Sequence, residues 1–325
     1  MDRIRRITGI AIPAALILWT TSQPASYPAL SRFEKLSDHF YYSRSSDDAG
    51  NLGILVTDEG VLLIDTPAPK DVPSVLEMLR KLTPSPVAWV VNTHFHKDHT
   101  GGNGYFVEHQ VPVISSKDAL RLMLPGGKER EASTHGAGDR DLPASAPRFA
   151  FARQIHLYPA GIEVRVMAVE HGAHTSGDVV VLVPSEKILH AGDLYSPDSF
   201  PAIDTADGEG SPLGWIDAMR KVIEAVPLVK SAMPQPKPDP SKPPAEEKTL
   251  EEQFIVVPGH GPASNLKEMK VMLEAAQKVR TEAGRAVSAG RSLENFLASP
   301  ALAPYRVHKN LATYASQLYD ALSHK

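Results

Sequence analysis

Three imidazoles and a carboxylate fall within the six residues His94-Phe95-His96-Lys97-Asp98-His99, directly after the apolar run at residues 87–91. Imidazole and carboxylate are ligands for zinc and its first-row neighbours. Four of them this close exceed what one tetrahedral ion takes from a single loop, so the spacing implies two ions. A chance His-x-His is unremarkable in a chain with 13 histidines, but Asp98, His99 and the following Gly101-Gly102 pair make this hexapeptide specific. The chemistry such a site supports is hydrolysis: two divalent cations share a water, lower its pKa and direct the hydroxide at a carbonyl or phosphoryl centre.

The His-x-His-x-Asp-His pattern resembles the signature of the metallo-β-lactamase superfamily. The blocks His174-Thr175-Ser176-Gly177-Asp178, His190-Ala191-Gly192-Asp193 and Pro258-Gly259-His260-Gly261 follow it in that family's order. Asp65, in Leu63-Ile64-Asp65-Thr66, is similar to the family's early strand-end aspartate, and the resemblance spans roughly residues 50–265. It implies that His94, His96 and His174 hold a first ion, that Asp98, His99 and His260 hold a second, and that Asp193 bridges them. Asp98 takes a further, catalytic role by holding the nucleophile through a hydrogen bond. His171 lies three residues before His174, but only His174 stands in the His-Thr-x-Gly-Asp context, so His171 is read as lining or packing. Asp65 is expected to orient ligands rather than bind metal. Tyr195 is a candidate hydrogen-bond donor to a substrate carbonyl, against a reading in which it only packs.

True β-lactamases of this superfamily place cysteine or serine where this chain has Asp193, and a bridging carboxylate instead resembles glyoxalase II and the quorum-quenching lactonases. The resemblance therefore implies a dinuclear zinc hydrolase of a small ester, thioester or lactone, and the basic-plus-apolar leader at residues 1–29 implies that it is exported. The two divalent ions are expected to be zinc, with iron or manganese as alternatives. Hydrolysis of β-lactams is the alternative within the hydrolase class. An iron-dependent redox member of the same fold is the alternative outside it.

These ligands need strands to carry them. Residues 51–57 and 61–64 form two β-rich runs around Asp58-Glu59-Gly60, predicting a hairpin. Val75, Leu76, Leu79 and Leu82 recur at helical spacing from Pro73, and Thr83-Pro84-Ser85-Pro86 stops that helix before the strand that leads to His94. A strand at 111–114 and a helix at 117–122 repeat the alternation. Residues 125–147 then read as a long loop, either a lid over the site or an excursion away from it. Strands follow at 162–169, 179–183 and 188–191, helices at 213–226 and 265–280, and a strand at 254–257. The expected fold is α/β, a four-layer αβ/βα sandwich, with ligands at strand ends from both halves of the chain.

Residues 30–285 are expected to form the catalytic domain. Within it, residues 231–253 carry six prolines and read as an inserted, solvated spacer excluded from helix and central strand. Residues 286–325 read as a C-terminal helical extension whose Tyr314, Leu318 and Leu322 face the core. Residues 1–29 read as a signal peptide or an uncleaved anchor, because Arg3, Arg5 and Arg6 precede a short apolar stretch at 7–19. The expected location is periplasmic or secreted, with membrane contact only through an uncleaved leader. The net charge of −4 gives no attraction for a phosphate backbone, so the expected partner is a small-molecule substrate and not nucleic acid. The absence of cysteine excludes disulfides, thiolate metal sites and a cysteine nucleophile.

Overall fold

The computed structural model describes residues 30–45, 49–126, 142–170, 172–228 and 249–324. The expected leader, His171, most of the 125–147 loop and the proline-dense part of the insertion lie outside these residues. Two sheets face one another. In the first, β1 (Leu30–Lys35), β2 (Phe40–Ser45), β3 (Leu52–Thr57) and β4 (Gly60–Ile64) run as an antiparallel meander. The sheet continues in parallel through β5 (Val87–Val91), β6 (Val113–Ser116) and β7 (Phe149–Phe151). The strands of the second are β8 (Gln154–Leu157), β9 (Val164–Ala168), β10 (Val179–Val183), β11 (Ile188–Gly192), β12 (Ile255–Pro258) and β13 (Ser264–Asn265). Their order is β13-β12-β11-β10-β9-β8, and only β11 and β12 pair in parallel.

Period-two alternation explains the layering. In β4, Leu62 and Ile64 enter the core between the sheets with Val179, Val181 and Val183 of β10. Val61 and Leu63 point the other way, against Val75 and Leu79 of α1 (Val72–Leu82). Two short helices follow β5: α2 (Lys97–Thr100), inside the ligand loop, and α3 (Asn103–Glu108), whose Phe106 joins the same outer core. α4 (Lys117–Met123) follows β6, capped by the Ser116 hydroxyl. On the far side, Val180 and Leu182 of β10 pack under α5 (Pro212–Ala225). The insertion's end is not the expected spacer: Leu250–Gln253 is a helical turn, α6, started by a capping box in which Thr249 and Glu252 each bond the other's backbone. α7 (Leu266–Ser288), α8 (Leu293–Leu297) and α9 (Leu311–Ser323) complete the outer layer. This is the four-layer αβ/βα sandwich. Tyr314 and Leu318 are buried in that layer, with Leu322 packed at its edge, so residues beyond 285 share a core with α5 and α7.

Other elements also differ from expectation. β1 and β2 extend the first sheet ahead of the predicted hairpin, and β7 and β8 precede residue 161, where strands are expected to resume. β7 and β8 are short and follow a polar stretch that masks their signal, whereas β1 and β2 mix apolar and polar residues without a clean alternation. α7 runs eight residues past its predicted end, since the sequence through Ser288 has no proline and its single glycine, Gly284, does not stop the helix. Among the described residues no helix is long and apolar enough to cross a membrane.

A candidate dinuclear metal centre

Strand ends from both sheets open onto one cleft. Asp65 follows β4, the His94–His99 loop follows β5, Asp193 follows β11 and His260 follows β12, while His174 comes from the connection between β9 and β10. The seven predicted ligands are brought together. His94, His96, His174 and Asp193 form one group and Asp98, His99 and His260 the other, each with its ligand atoms within 4.8 Å of one another.

Asp193 divides its carboxylate between the two groups. Oδ2 lies 3.5 Å from His174 Nε2 and 3.9 Å from His94 Nε2, whereas Oδ1 lies 3.3 Å from His99 Nε2 and 3.5 Å from His260 Nε2. Asp98 Oδ2 closes the second group at 3.1 Å from both His99 Nε2 and His260 Nε2.

The outward nitrogens settle which atoms face inward. His99 Nδ1 donates to Asp65 Oδ2 at 2.8 Å, His96 Nε2 to Asp204 Oδ2 at 3.0 Å, and His174 Nδ1 to the carbonyl of Ala202. Carboxylate and carbonyl oxygens only accept, so each of these nitrogens carries a proton. Thr93 Oγ1 donates to Asp65 Oδ2 at 2.8 Å and therefore accepts from His94 Nδ1 at 3.0 Å. In the neutral rings, the inward nitrogens of His94, His96 and His174 are then bare lone pairs. They stand only 2.9–3.0 Å apart, His96 Nδ1 to the other two. Lone pairs so placed repel unless a cation lies among them, and buried Asp193 Oδ1 has no hydrogen-bond donor in the described structure. The donor set fits a pair of divalent ions with imidazole and carboxylate ligands.

Asp65 holds a ligand of each group, His99 directly and His94 through Thr93, and also accepts the Thr93 backbone N–H at 2.7 Å. It thus orients ligands, as expected. It does so from a left-handed backbone (φ 66°) that turns the chain out of β4. Tyr195 is buried, its hydroxyl sits 3.1 Å from Ser264 Oγ, burial pushes its pKa up to about 12, and it lines the same cavity as Asp98, Asp193 and His260. The sequence does not single out Asp204. Its only local signal is an Asx turn, Oδ1 accepting from the N–H groups of Ala206 and Asp207, which says nothing about His96. Asn51 is likewise missed by sequence reasoning. It grips the His260 loop through Nδ2 bonds to the carbonyls of Pro258 and Gly261 at 2.9 and 2.8 Å.

Electrostatics reinforce the grouping. Burial opposes charge on Asp193 and on His99, but their mutual attraction prevails, holding the Asp193 carboxyl well below and the His99 imidazole well above their usual ranges. The nearby carboxylates of Asp193 and Asp98, 3.5 and 3.1 Å from its Nε2, lift His260 to about 9. Burial drives His94 the other way, well below the usual histidine range, which keeps its lone pair available.

His190, one layer beneath, behaves differently. Its ring is fully buried, Nδ1 accepts from the N–H of Gly192 at 3.3 Å, and Nε2 has no partner. Burial lowers its pKa to about 4. The unfolded chain, at about 6.5, therefore takes up a proton first as pH falls, so stability that is complete above pH 6.5 is lost toward pH 4. Metal-free protein is expected to lose roughly 2 kcal/mol more between pH 7 and 5 than its His190→Leu variant, from about 1.5 pH units at 1.36 kcal/mol each. Urea melts at the two pH values measure this. Equal acid losses in the two proteins would remove His190 as the cause.

Comparison with known proteins follows this geometry. A family profile described as "Metallo-beta-lactamase superfamily" matches residues 46–260. A linear primary-alkylsulfatase from Pseudomonas sp. (strain ATCC 19151) is 23% identical over 198 residues, 50% of this chain and 37% of that protein, so the match spans well under half of the relative. Among solved structures, the DIM-1 metallo-beta-lactamase superposes with a TM-score of 0.56 at 20% identity, covering 77% of this chain and 98% of that one. A metallo-beta-lactamase from Pontibacter korlensis gives 0.56 at 22% identity, covering 76% and 99%. At these identities the structural likeness is one of fold.

Proposed function

The chain belongs to the metallo-β-lactamase superfamily, and from that premise we propose that it is a dinuclear zinc hydrolase that cleaves a small ester, thioester or lactone. The observation that carries this is the Asp193 carboxylate, whose two oxygens face two separate ligand groups. Ions bound there supply a water of lowered pKa and an electrophile for the oxygen that becomes anionic. The protein's part is to fix the ligands and keep a carboxylate in place that accepts a hydrogen bond from the nucleophile. Asp65, Thr93, Asp204 and the Ala202 carbonyl lock the imidazole orientations, so the lone pairs converge before any ion arrives. Asp98 remains a carboxylate, held far below its usual range against the cost of burial by His260 and His99. It borders the open cleft, where it can hold a nucleophilic water by accepting its hydrogen bond.

A carboxylate at position 193, in place of a thiol or hydroxyl, favours ester-like substrates over β-lactams. Elemental analysis of protein purified without added metal, followed by turnover assays on aryl esters, thioesters, lactones, β-lactams and alkyl sulfates, tests the proposal. About two zinc ions per chain with ester, thioester or lactone turnover is the expected result. About one iron per chain and no hydrolysis of any panel member would overturn it in favour of redox chemistry.

A further inference from the structure

The metal centre lies between two cavities, and Asp98 borders both. One, of about 570 Å³, has an apolar wall of Phe95, Leu122 and Met123. The other, of about 500 Å³, is lined by the exposed residues Lys309 and Asn310 together with the ligands His174, Asp193 and His260. Lys309 lies just ahead of α9, far in sequence from every ligand block, yet its backbone is pinned to the segment that follows Asp193. Its N–H donates to the Asp198 carbonyl at 3.1 Å, its carbonyl accepts from Phe200 N–H at 3.0 Å, and the pair Ser199–Lys309 forms a parallel β-bridge. Asn310 adds a bond from Nδ2 to Ser199 Oγ at 3.0 Å from a left-handed backbone (φ 58°). Phe200 is buried and stacks on Tyr314 at 5.4 Å, which ties this bridge to the helical layer.

The side chain contrasts with its backbone. Among the described residues the Lys309 ammonium has no acidic partner within 4 Å, and the carboxylates that share its cavity, Asp98 and Asp193, are turned toward imidazoles. A lysine that serves only solubility needs no β-bridge to place it. One fixed on a rigid backbone at the wall of a reaction cleft, with its charge unanswered, is arranged for an anion supplied from solution. Two divalent ions would more than offset Asp98 and Asp193, so the filled cleft adds to the same attraction.

We infer that Lys309 recognises a carboxylate on the substrate, remote from the scissile carbonyl, and that the preferred substrate is an anionic ester, thioester or lactone whose apolar portion lies toward Phe95, Leu122 and Met123. This rests on the hydrolase reading above. The test compares 4-nitrophenyl hydrogen pimelate with 4-nitrophenyl heptanoate, equal in chain length and different in terminal charge, on the metal-loaded protein. The wild type is expected to favour the pimelate. Lys309→Ala should raise KM for the pimelate about ten- to a hundredfold while barely changing the heptanoate, Lys309→Arg should restore most of the loss, and Lys309→Glu should invert the preference. Equal responses of the two esters to Lys309→Ala would overturn the assignment while leaving hydrolysis intact. If neither ester turns over, it is the ester-hydrolase reading that fails, and calorimetric binding of pimelate still decides for Lys309. About tenfold weaker binding to Lys309→Ala supports the assignment, and unchanged binding overturns it.

Discussion

Asp193→Asn is expected to lower kcat/KM by about 10³-fold or more and to cut bound metal from about two ions per chain to one or fewer. The substitution conserves shape and volume, so any loss is one of charge and donor type. An amide in this place presents one carbonyl oxygen and one NH2, and the NH2 cannot ligate a cation. Whichever way it turns, one of the two groups loses its shared ligand. In the wild type, Oδ2 serves the side of His94 and His174, and Oδ1 the side of His99 and His260. The lost charge also removes the principal support for protonated His99 and His260 in metal-free protein. The His260 titration, at about 9 in the wild type, should therefore move toward the ordinary histidine value near 6.5, a shift that NMR of the metal-free variant reads directly. Circular dichroism should remain native, because Asp193 contributes nothing to the apolar cores. Retention of both ions and full turnover by the Asp193→Asn variant would sink the bridging role.

The candidate ligands were legible because this fold places most of them just after strands, in short blocks whose spacing survives in one dimension. His94, His96, Asp98 and His99 share six residues, and Asp193 and His260 each follow an apolar run of strand length. The groups that orient those ligands were mostly not legible. Asp204 reaches His96 across 108 residues, and Asn51, at the head of β3, reaches the Pro258 carbonyl across 207, so nothing local to either marks its partner. Asp65 was the exception, since a carboxylate ending the buried run 61–64 has few stable surroundings other than donors. The sandwich was predictable from strand and helix alternation, whereas short edge strands such as β7 and β8 gain their identity only from a neighbour. The contribution of Lys309 to the cleft depends on a single backbone bridge and leaves no periodic trace.

Gly259→Ala carries the second large effect, although residue 259 binds nothing. A Cβ at this position would collide with Asp193 Oδ1 and lie 2.8 Å from Asp193 N and 2.8 Å from the Gly192 carbonyl carbon. A flexible side chain could move from such a contact, but Asp193 has no freedom to move without leaving one ligand group. The backbone cannot retreat either, because Gly259 N–H donates to the Gly192 carbonyl at 2.7 Å where β11 and β12 pair in parallel. Alanine must therefore swing the carboxylate away or part the two strands that deliver Asp193 and His260. Displacement of a reacting group by about 1 Å costs on the order of 10²-fold, which is the fall expected in kcat/KM, together with weaker binding of at least one ion. Gly53→Ala separates this from general damage. Its Cβ would press on the His190 and Ile64 side chains at 2.8–2.9 Å, overpacking the core without touching a ligand. That variant should lose roughly 1–3 kcal/mol of stability yet keep its metal content and most of its turnover. If both alanine variants lose metal and activity in proportion to their fall in melting temperature, the close approach of Gly259 to Asp193 is a packing feature and not a constraint on the metal bridge.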